Sequence, residues 1–191
     1  PQAAAGRAGR EAAKIQNRIE ASLGACEIVQ TTQAGEATLL TRKALEEGSE
    51  RIVSVGGDGT NNEVVNGFFK ERSTEVVREG AALSFFPMGT GGDFCRVLGL
   101  NERTFEEAYR DAELFPMDVG TMWFQDPQGE QQMRHFLNVA SFGGSGVITQ
   151  KVGALTKLLG GKLAYYVGTI NGLMSYKNKR VRVRIDQDFD E

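Results

Sequence analysis

Residues 52–60 read Ile52-Val53-Ser54-Val55-Gly56-Gly57-Asp58-Gly59-Thr60. A short β-branched run that stops at two glycines is a buried strand ending in a tight turn. Without Cβ atoms, such a turn lets a bulky anion approach the backbone N–H groups. The next residues, Asn61-Asn62-Glu63-Val64-Val65-Asn66-Gly67-Phe68-Phe69, read as a helix start whose first amides add partial positive charge beside the turn. An acid in the middle of the turn suits a group that handles Mg²⁺ or a proton better than one that only cradles phosphate. An ordinary strand-to-helix turn also favours Gly and Asp, so these residues alone leave both readings open.

A second segment repeats the pattern. Ala82-Leu83-Ser84-Phe85-Phe86 reads as another strand, followed by Pro87-Met88-Gly89-Thr90-Gly91-Gly92-Asp93-Phe94-Cys95-Arg96. Two strand ends that each carry Gly, Thr and Asp would lie side by side in a parallel sheet. Ligands bind outside the carboxyl ends of such strands. Two carboxylates there can share a hydrated Mg²⁺, which takes one or two carboxylates together with phosphate oxygens and water.

The pair GGDGTNNEV and PMGTGGDFCR, about thirty residues apart, resembles the diacylglycerol kinase catalytic domain family. Bacterial lipid kinases belong to that family, sphingosine and ceramide kinases are relatives, and NAD kinases are more distant ones. Met117-Asp118-Val119-Gly120 and Phe136-Leu137-Asn138-Val139-Ala140-Ser141-Phe142-Gly143 look like later family segments. One departure is Gly92, where the family often has Asn, which removes an amide side chain near the phosphates. The resemblance also implies a strand ending in Asn-Pro ahead of Pro1 and a later Asp-Gly-Glu motif. The chain is therefore expected to be truncated at both ends, to bind nucleotide weakly and not to phosphorylate lipid alone.

Composition sets bounds. The 191 residues are 40% hydrophobic and 25% charged, with a net charge of −3 and a pI near 5.4. That is enough for one large or two small domains. No global charge draws the chain to nucleic acid or anionic lipid, so membrane contact must be local. Cys26 and Cys95 show neither metal-ligand spacing nor a disulfide framework. No apolar run reaches membrane-spanning length.

Along the chain, residues 8–23 repeat apolar positions every three or four residues, as an amphipathic helix does. Residues 26–31 read as a strand and 36–47 as a helix closed by Gly48. Strand 51–55, helix 61–70, strand 82–86 and helix 104–113 complete an alternation that indicates a parallel α/β sheet. From Asp118 the pattern changes. Residues 119–124 read as a strand, Asp126-Pro127-Gln128-Gly129 as a turn and 136–142 as the returning strand. A glycine-rich stretch follows at 143–161, with a helix around 152–159, then a helix at 163–176 and a half-exposed strand at 181–185. The expected fold class is a three-layer α/β/α nucleotide-binding domain over residues 1–117. Part of a β-rich, β-sandwich-like lipid-substrate domain follows over 118–191. The basic run Lys177, Lys179, Arg180, Arg182 and Arg184 reads as a solvated face or as a patch for anionic headgroups.

Other chemistries fit less well. The dinucleotide fingerprint lacks its third glycine after Gly57-Asp58-Gly59, and Gly161-Lys162 lacks the Ser or Thr of a Walker A loop. His135, the one histidine, has no partner for a zinc site and reads as structural.

The resemblance implies transfer of the ATP γ-phosphoryl group to a lipid hydroxyl, with ATP as substrate and Mg²⁺ as cofactor. It carries Asp58, Asp93 and Asp118 onto the family's metal-holding acids, and gives Asp58 a catalytic role as metal ligand, base or both. It places Gly6, Gly9, Gly56, Gly57, Gly59, Thr60, Glu63, Gly89, Thr90 and Gly91 around the nucleotide, with Thr31 or Thr32 as an adenosine contact. As partner it implies a lipid at a membrane surface, reached from the cytoplasm by a protein without a transmembrane segment. It implies no nucleic acid and allows a homodimer. An NAD kinase-like phosphotransferase or a non-catalytic nucleotide-sensing module are the alternatives. The Pro87–Arg96 segment weighs against the first, and the acidic motif not found here leaves the second open.

Overall fold

The computed structural model describes residues 6–88, 92–110, 112–159, 161–178, 180–185 and 189–190. The chain divides into two compact units, Pro1–Val139 and Ala140–Glu191.

The first unit opens with α1 (Arg7–Arg10) and α2 (Ala12–Leu23), which the sequence presents as one helix. They part at Glu11, whose φ of −104° and ψ of 13° leave the helical region. α3 (Glu36–Glu46) follows. Residues 26–31, read as a strand, pair with no strand among the described residues. A strand is defined by its ladder, and apolar spacing alone does not supply a partner. β1 (Arg51–Gly56), α4 (Asp58–Gly67) and β2 (Ala82–Pro87) make a strand–helix–strand crossover. β1 and β2 are parallel, in register from Arg51 opposite Ala82 to Gly56 opposite Pro87. α5 (Asp93–Val97) and α6 (Phe105–Arg110) come next.

Alternation along β2 explains the core. Successive side chains of a strand point to opposite faces, and here both faces are covered. Phe86 joins Ile15 and Ile19 of α2, Met88 and Phe105 of α6 on one side. Phe85 joins Phe94 and Cys95 of α5 on the other. Ring contacts follow this division: Phe86 meets Phe105 at 4.7 Å, and Phe85 meets Phe94 edge-on at 5.3 Å. Burial on both faces explains why β2 reads as a continuous apolar run. Arg18 braces the first side. It pairs with the Glu106 carboxylate, at 2.7 Å through Nη2, and its guanidinium lies 5.0 Å from the centre of the Phe86 ring.

A hairpin of β3 (Gly120–Gln125) and β4 (Gln131–Phe136) completes this unit. The return strand lies earlier than the 136–142 expected from apolar content. The cause is the turn. Asp126 Oδ1 accepts the Gln128 and Glu130 amides, and the Asp126 amide donates to the Glu130 carbonyl at 2.9 Å, so the chain re-enters the ladder at Gln131.

The second unit contains α7 (Gly144–Leu159), α8 (Gly161–Ser175) and a two-residue pairing of β5 (Arg184–Ile185) with β6 (Phe189–Asp190). The glycine-rich stretch is thus mostly helix. Two glycines of α8 allow close packing on α7: a Cβ on Gly168 would fall 2.6 Å from Val152, and one on Gly172 would fall 2.6 Å from Ile148. Among the described residues no helix is long and apolar enough to cross a membrane.

Candidate active site

The first glycine turn lies where β1 becomes α4. Gly57, extended at φ −105° and ψ −169°, precedes the helix, and Asp58 occupies its first turn. The helix therefore starts at Asp58, three residues before the sequence expectation of Asn61. A carboxylate in a first turn is favoured by the helix dipole. It does a second task here. Asp58 Oδ2 accepts the Gly92 amide at 2.8 Å and the Asp93 amide at 3.2 Å, and Oδ1 accepts the Phe94 amide at 3.4 Å. One side chain thus serves the N-termini of both α4 and α5, at the carboxyl ends of two adjacent parallel strands. Just past the ladder, Met88 N–H donates to the Gly56 carbonyl at 2.9 Å.

Gly56 must be glycine for a packing reason. A Cβ there would fall 2.5 Å from Thr60 Oγ1 and 2.7 Å from Thr60 Cβ. Gly59 faces open space. Asp93 is exposed, and its carboxylate meets Arg96 at 2.6 Å. Asp118 is exposed and lies two residues before β3. The structure thus joins the Asp58 carboxylate to the backbone of Asp93 and records no contact from Asp118 to either. Among the described residues, no three His, Cys, Asp or Glu side chains gather to hold a metal ion.

The remaining sequence candidates separate. Glu63 Oε2 accepts the Ala37 amide at 3.2 Å, in the first turn of α3, so its carboxylate caps that helix. Thr32 is exposed, and its hydroxyl donates to Glu36 Oε2 at 3.0 Å. Thr31 is half-buried in the unpaired stretch before α3. Gly6, at φ 80°, precedes α1. Gly9 lies within α1, where a Cβ would fall 3.2 Å from Gln30 Oε1. Gly89, Thr90 and Gly91 lie outside the described residues.

Two arrangements escape a reading by motif. Under the Asp58 turn, Ser54, Asn61 and Cys95 form a buried polar chain. Burial pushes the Cys95 thiol up; the Asn61 hydrogen bond opposes this and the Asp58 charge adds to it. At the other end of α4, Asn66 Oδ1 accepts the His135 amide at 3.0 Å and Asn66 Nδ2 donates to the His135 carbonyl at 2.9 Å. Asn62 Nδ2 reaches the same carbonyl at 3.0 Å. The His135 ring stacks on Phe69 at 3.8 Å, Nε2–H donates to the Ser73 carbonyl at 3.1 Å, and Nδ1 faces Thr121 Oγ1 at 3.0 Å. The one sign of this in sequence was the i, i+4 spacing of Asn62 and Asn66, which puts both amides on one face of the helix.

The profile of the family described as "Diacylglycerol kinase catalytic domain" matches residues 1–122. The chain belongs to that family. It is 30% identical over 158 residues to a diacylglycerol kinase of Staphylococcus carnosus, covering 82% of this chain and 47% of that protein. To a "Probable lipid kinase YegS-like" of Chromohalobacter salexigens it is 34% identical over 157 residues, covering 81% and 46%. A solved structure from Bacillus anthracis str. Sterne superposes with a TM-score of 0.57 at 26% identity, covering 93% of this chain and 56% of that one. This kinase-family chain thus has an α/β fold and spans about half the length of the curated relatives it matches.

Proposed function

We propose that this chain carries the nucleotide-binding part of an ATP-dependent lipid kinase, which moves the γ-phosphoryl group to the hydroxyl of diacylglycerol or a related lipid. The observation that carries the reading is the Asp58 carboxylate holding the Gly92, Asp93 and Phe94 amides across two glycine turns. Phosphoryl transfer needs positioning and charge neutralisation more than covalent chemistry from the protein. Backbone amides of the Gly56–Thr60 turn and of Gly89, Thr90 and Gly91 would cradle phosphate oxygens. Asp58 Oδ1, with a single long amide bond, keeps lone pairs for an acceptor hydroxyl. Arg96 pairs with the Asp93 carboxylate at 2.6 Å.

The donor set suits Mg²⁺ of the hydrated kind. That ion needs only one or two carboxylates when phosphates and water supply the rest. Asp58 and Asp93, on adjacent strand ends, would hold it, with Asp118 acting through water. The ion would neutralise charge on the phosphates. In this reading residues 1–117 serve nucleotide, and residues from 118 onward begin the part that meets the lipid at a membrane surface.

The test offers radiolabelled ATP with diacylglycerol, sphingosine, ceramide, undecaprenol and NAD in turn to the protein at its natural length. Label in a lipid supports the proposal. Label in NAD alone, or nucleotide binding with no transfer to any acceptor, overturns it.

A further inference from the structure

Beneath the Asp58 turn three polar side chains are shut away from water. Ser54 is 1% exposed, Asn61 3% and Cys95 1%. They come from three elements: β1, α4 and α5. Ser54 Oγ donates to Asn61 Oδ1 at 2.7 Å, and Asn61 Nδ2 donates to Cys95 Sγ at 3.8 Å. With its oxygen met by the hydroxyl, the amide turns its NH₂ group toward the sulfur. An amide buried this deeply costs stability unless both ends are met, and an aliphatic residue would fill the space without that demand. What the polar chain adds is direction. Satisfied buried networks specify one arrangement of the elements they join.

α5 needs such a constraint. At five residues it is too short to hold a helical conformation without tertiary support. Phe94 and Cys95 anchor it by packing against Phe85, but apolar contact tolerates sliding better than a directed hydrogen bond does. Its first turn carries the amides that meet Asp58. A small shift of α5 would move Gly92 and Asp93 away from the carboxylate.

We propose that Asn61 is a positioning residue. Through Ser54 and Cys95 it fixes α5 on α4, and so sets where the Gly92, Asp93 and Phe94 amides meet Asp58. The functional meaning rests on reading this turn as a phosphate site, while the structural claim can be tested without it. Asn61 touches no substrate and acts only through α5.

The test is amide hydrogen exchange, read by NMR on the chain without nucleotide, for Asn61→Leu, Cys95→Ala and the double variant. Each single change should speed exchange at Gly92, Asp93 and Phe94 on the order of tenfold, the equivalent of one net hydrogen bond. Amides in the β1–β2 ladder should be unaffected. The double variant should exchange no faster than the quicker single, because both changes break one link. Cys95→Ser, which keeps a partner for the amide, should exchange more slowly than Cys95→Ala. A rise shared equally with the ladder amides, or two single effects that add independently, overturns the proposal. Should Asn61→Leu fail to fold, the Ala and Ser variants at Cys95 decide alone. Calorimetry with ADP and adenosine then separates this inference from the functional reading. Weaker ADP binding with unchanged adenosine binding supports both. If wild-type chain binds neither, the phosphate-site reading fails and the exchange result still judges Asn61.

Discussion

Replacing Asp58 separates its structural work from its chemical work. In Asp58→Asn the side chain keeps one oxygen, which can still accept the Gly92 and Asp93 amides at 2.8 and 3.2 Å. It loses the 3.4 Å bond to Phe94 and the charge shared by the first turns of α4 and α5. A charge at a helix N-terminus contributes about 0.3–1 kcal/mol, so the two helices together lose roughly 0.6–2 kcal/mol. Asp58→Ala also loses the retained hydrogen bonds, and removing a capping side chain costs about 0.5–2 kcal/mol. The alanine variant should therefore be the less stable by about 1 kcal/mol. Urea denaturation followed by circular dichroism measures both, with unchanged slopes showing that compactness is preserved. Phosphoryl transfer behaves differently. Loss of a group that acts on the reacting atoms costs on the order of 10²–10³ in turnover, far beyond what the fold loses. Asp58→Asn should then be folded and inactive. Wild-type stability in both variants would show that the amide bridge carries no energy. An active Asp58→Asn enzyme with normal acceptor preference would remove Asp58 from the catalytic group.

Three further outcomes are expected. Asn66→Ala should destabilise the chain by about 1–3 kcal/mol, because the buried His135 amide loses its acceptor; unchanged urea unfolding would contradict the bracket. Burial holds His135 below its usual imidazole range, partly opposed by the Ser73 carbonyl. The unfolded chain therefore binds the proton more readily, and stability should be full above about pH 6.5 and fall as pH drops below it. His135→Gln should lose that slope, and parallel pH profiles for the two proteins would refute the assignment. Gly67→Ala would place a Cβ 2.5 Å from Thr41 Cβ and 2.7 Å from the Thr38 carbonyl. It should cost about 1–3 kcal/mol, and Thr41→Ala should restore only part of the loss in a thermal melt, because the backbone carbonyl stays.

Much of the nucleotide half was legible because its signals are local. β1 and β2 are apolar runs closed by glycine or proline, and they lie within a residue of where the sequence places them. The family resemblance came from the same two turns. What escaped depends on partners distant in sequence. Residues 26–31 have a strand-like composition and, among the described residues, no ladder. The return strand of the hairpin was misplaced because apolar content after Phe136 outweighed the tight turn made by Asp126. α7 was underestimated because its glycines lower helix propensity, while the close approach that holds it is made by Gly168 and Gly172 of α8. Glu63 shows the same limit at the site. It belongs to the motif, yet its carboxylate caps α3.

α4 works as a ruler. Its ten residues span about 15 Å, and its i, i+4 pairs address different neighbours. Asn61 and Val65 face the buried interior, Asn62 and Asn66 hold the hairpin at His135, and Glu63 and Gly67 lie against α3. A residue inserted between Asn62 and Glu63 would rotate everything after it by about 100°. The hairpin, α3 and the interior would then lose their registration with the Asp58 turn together. Substitutions along α4 can be compensated one neighbour at a time, but a change of length cannot. Length variation in this part of the chain should therefore fall outside α4, at exposed positions such as Glu79 and Gly80.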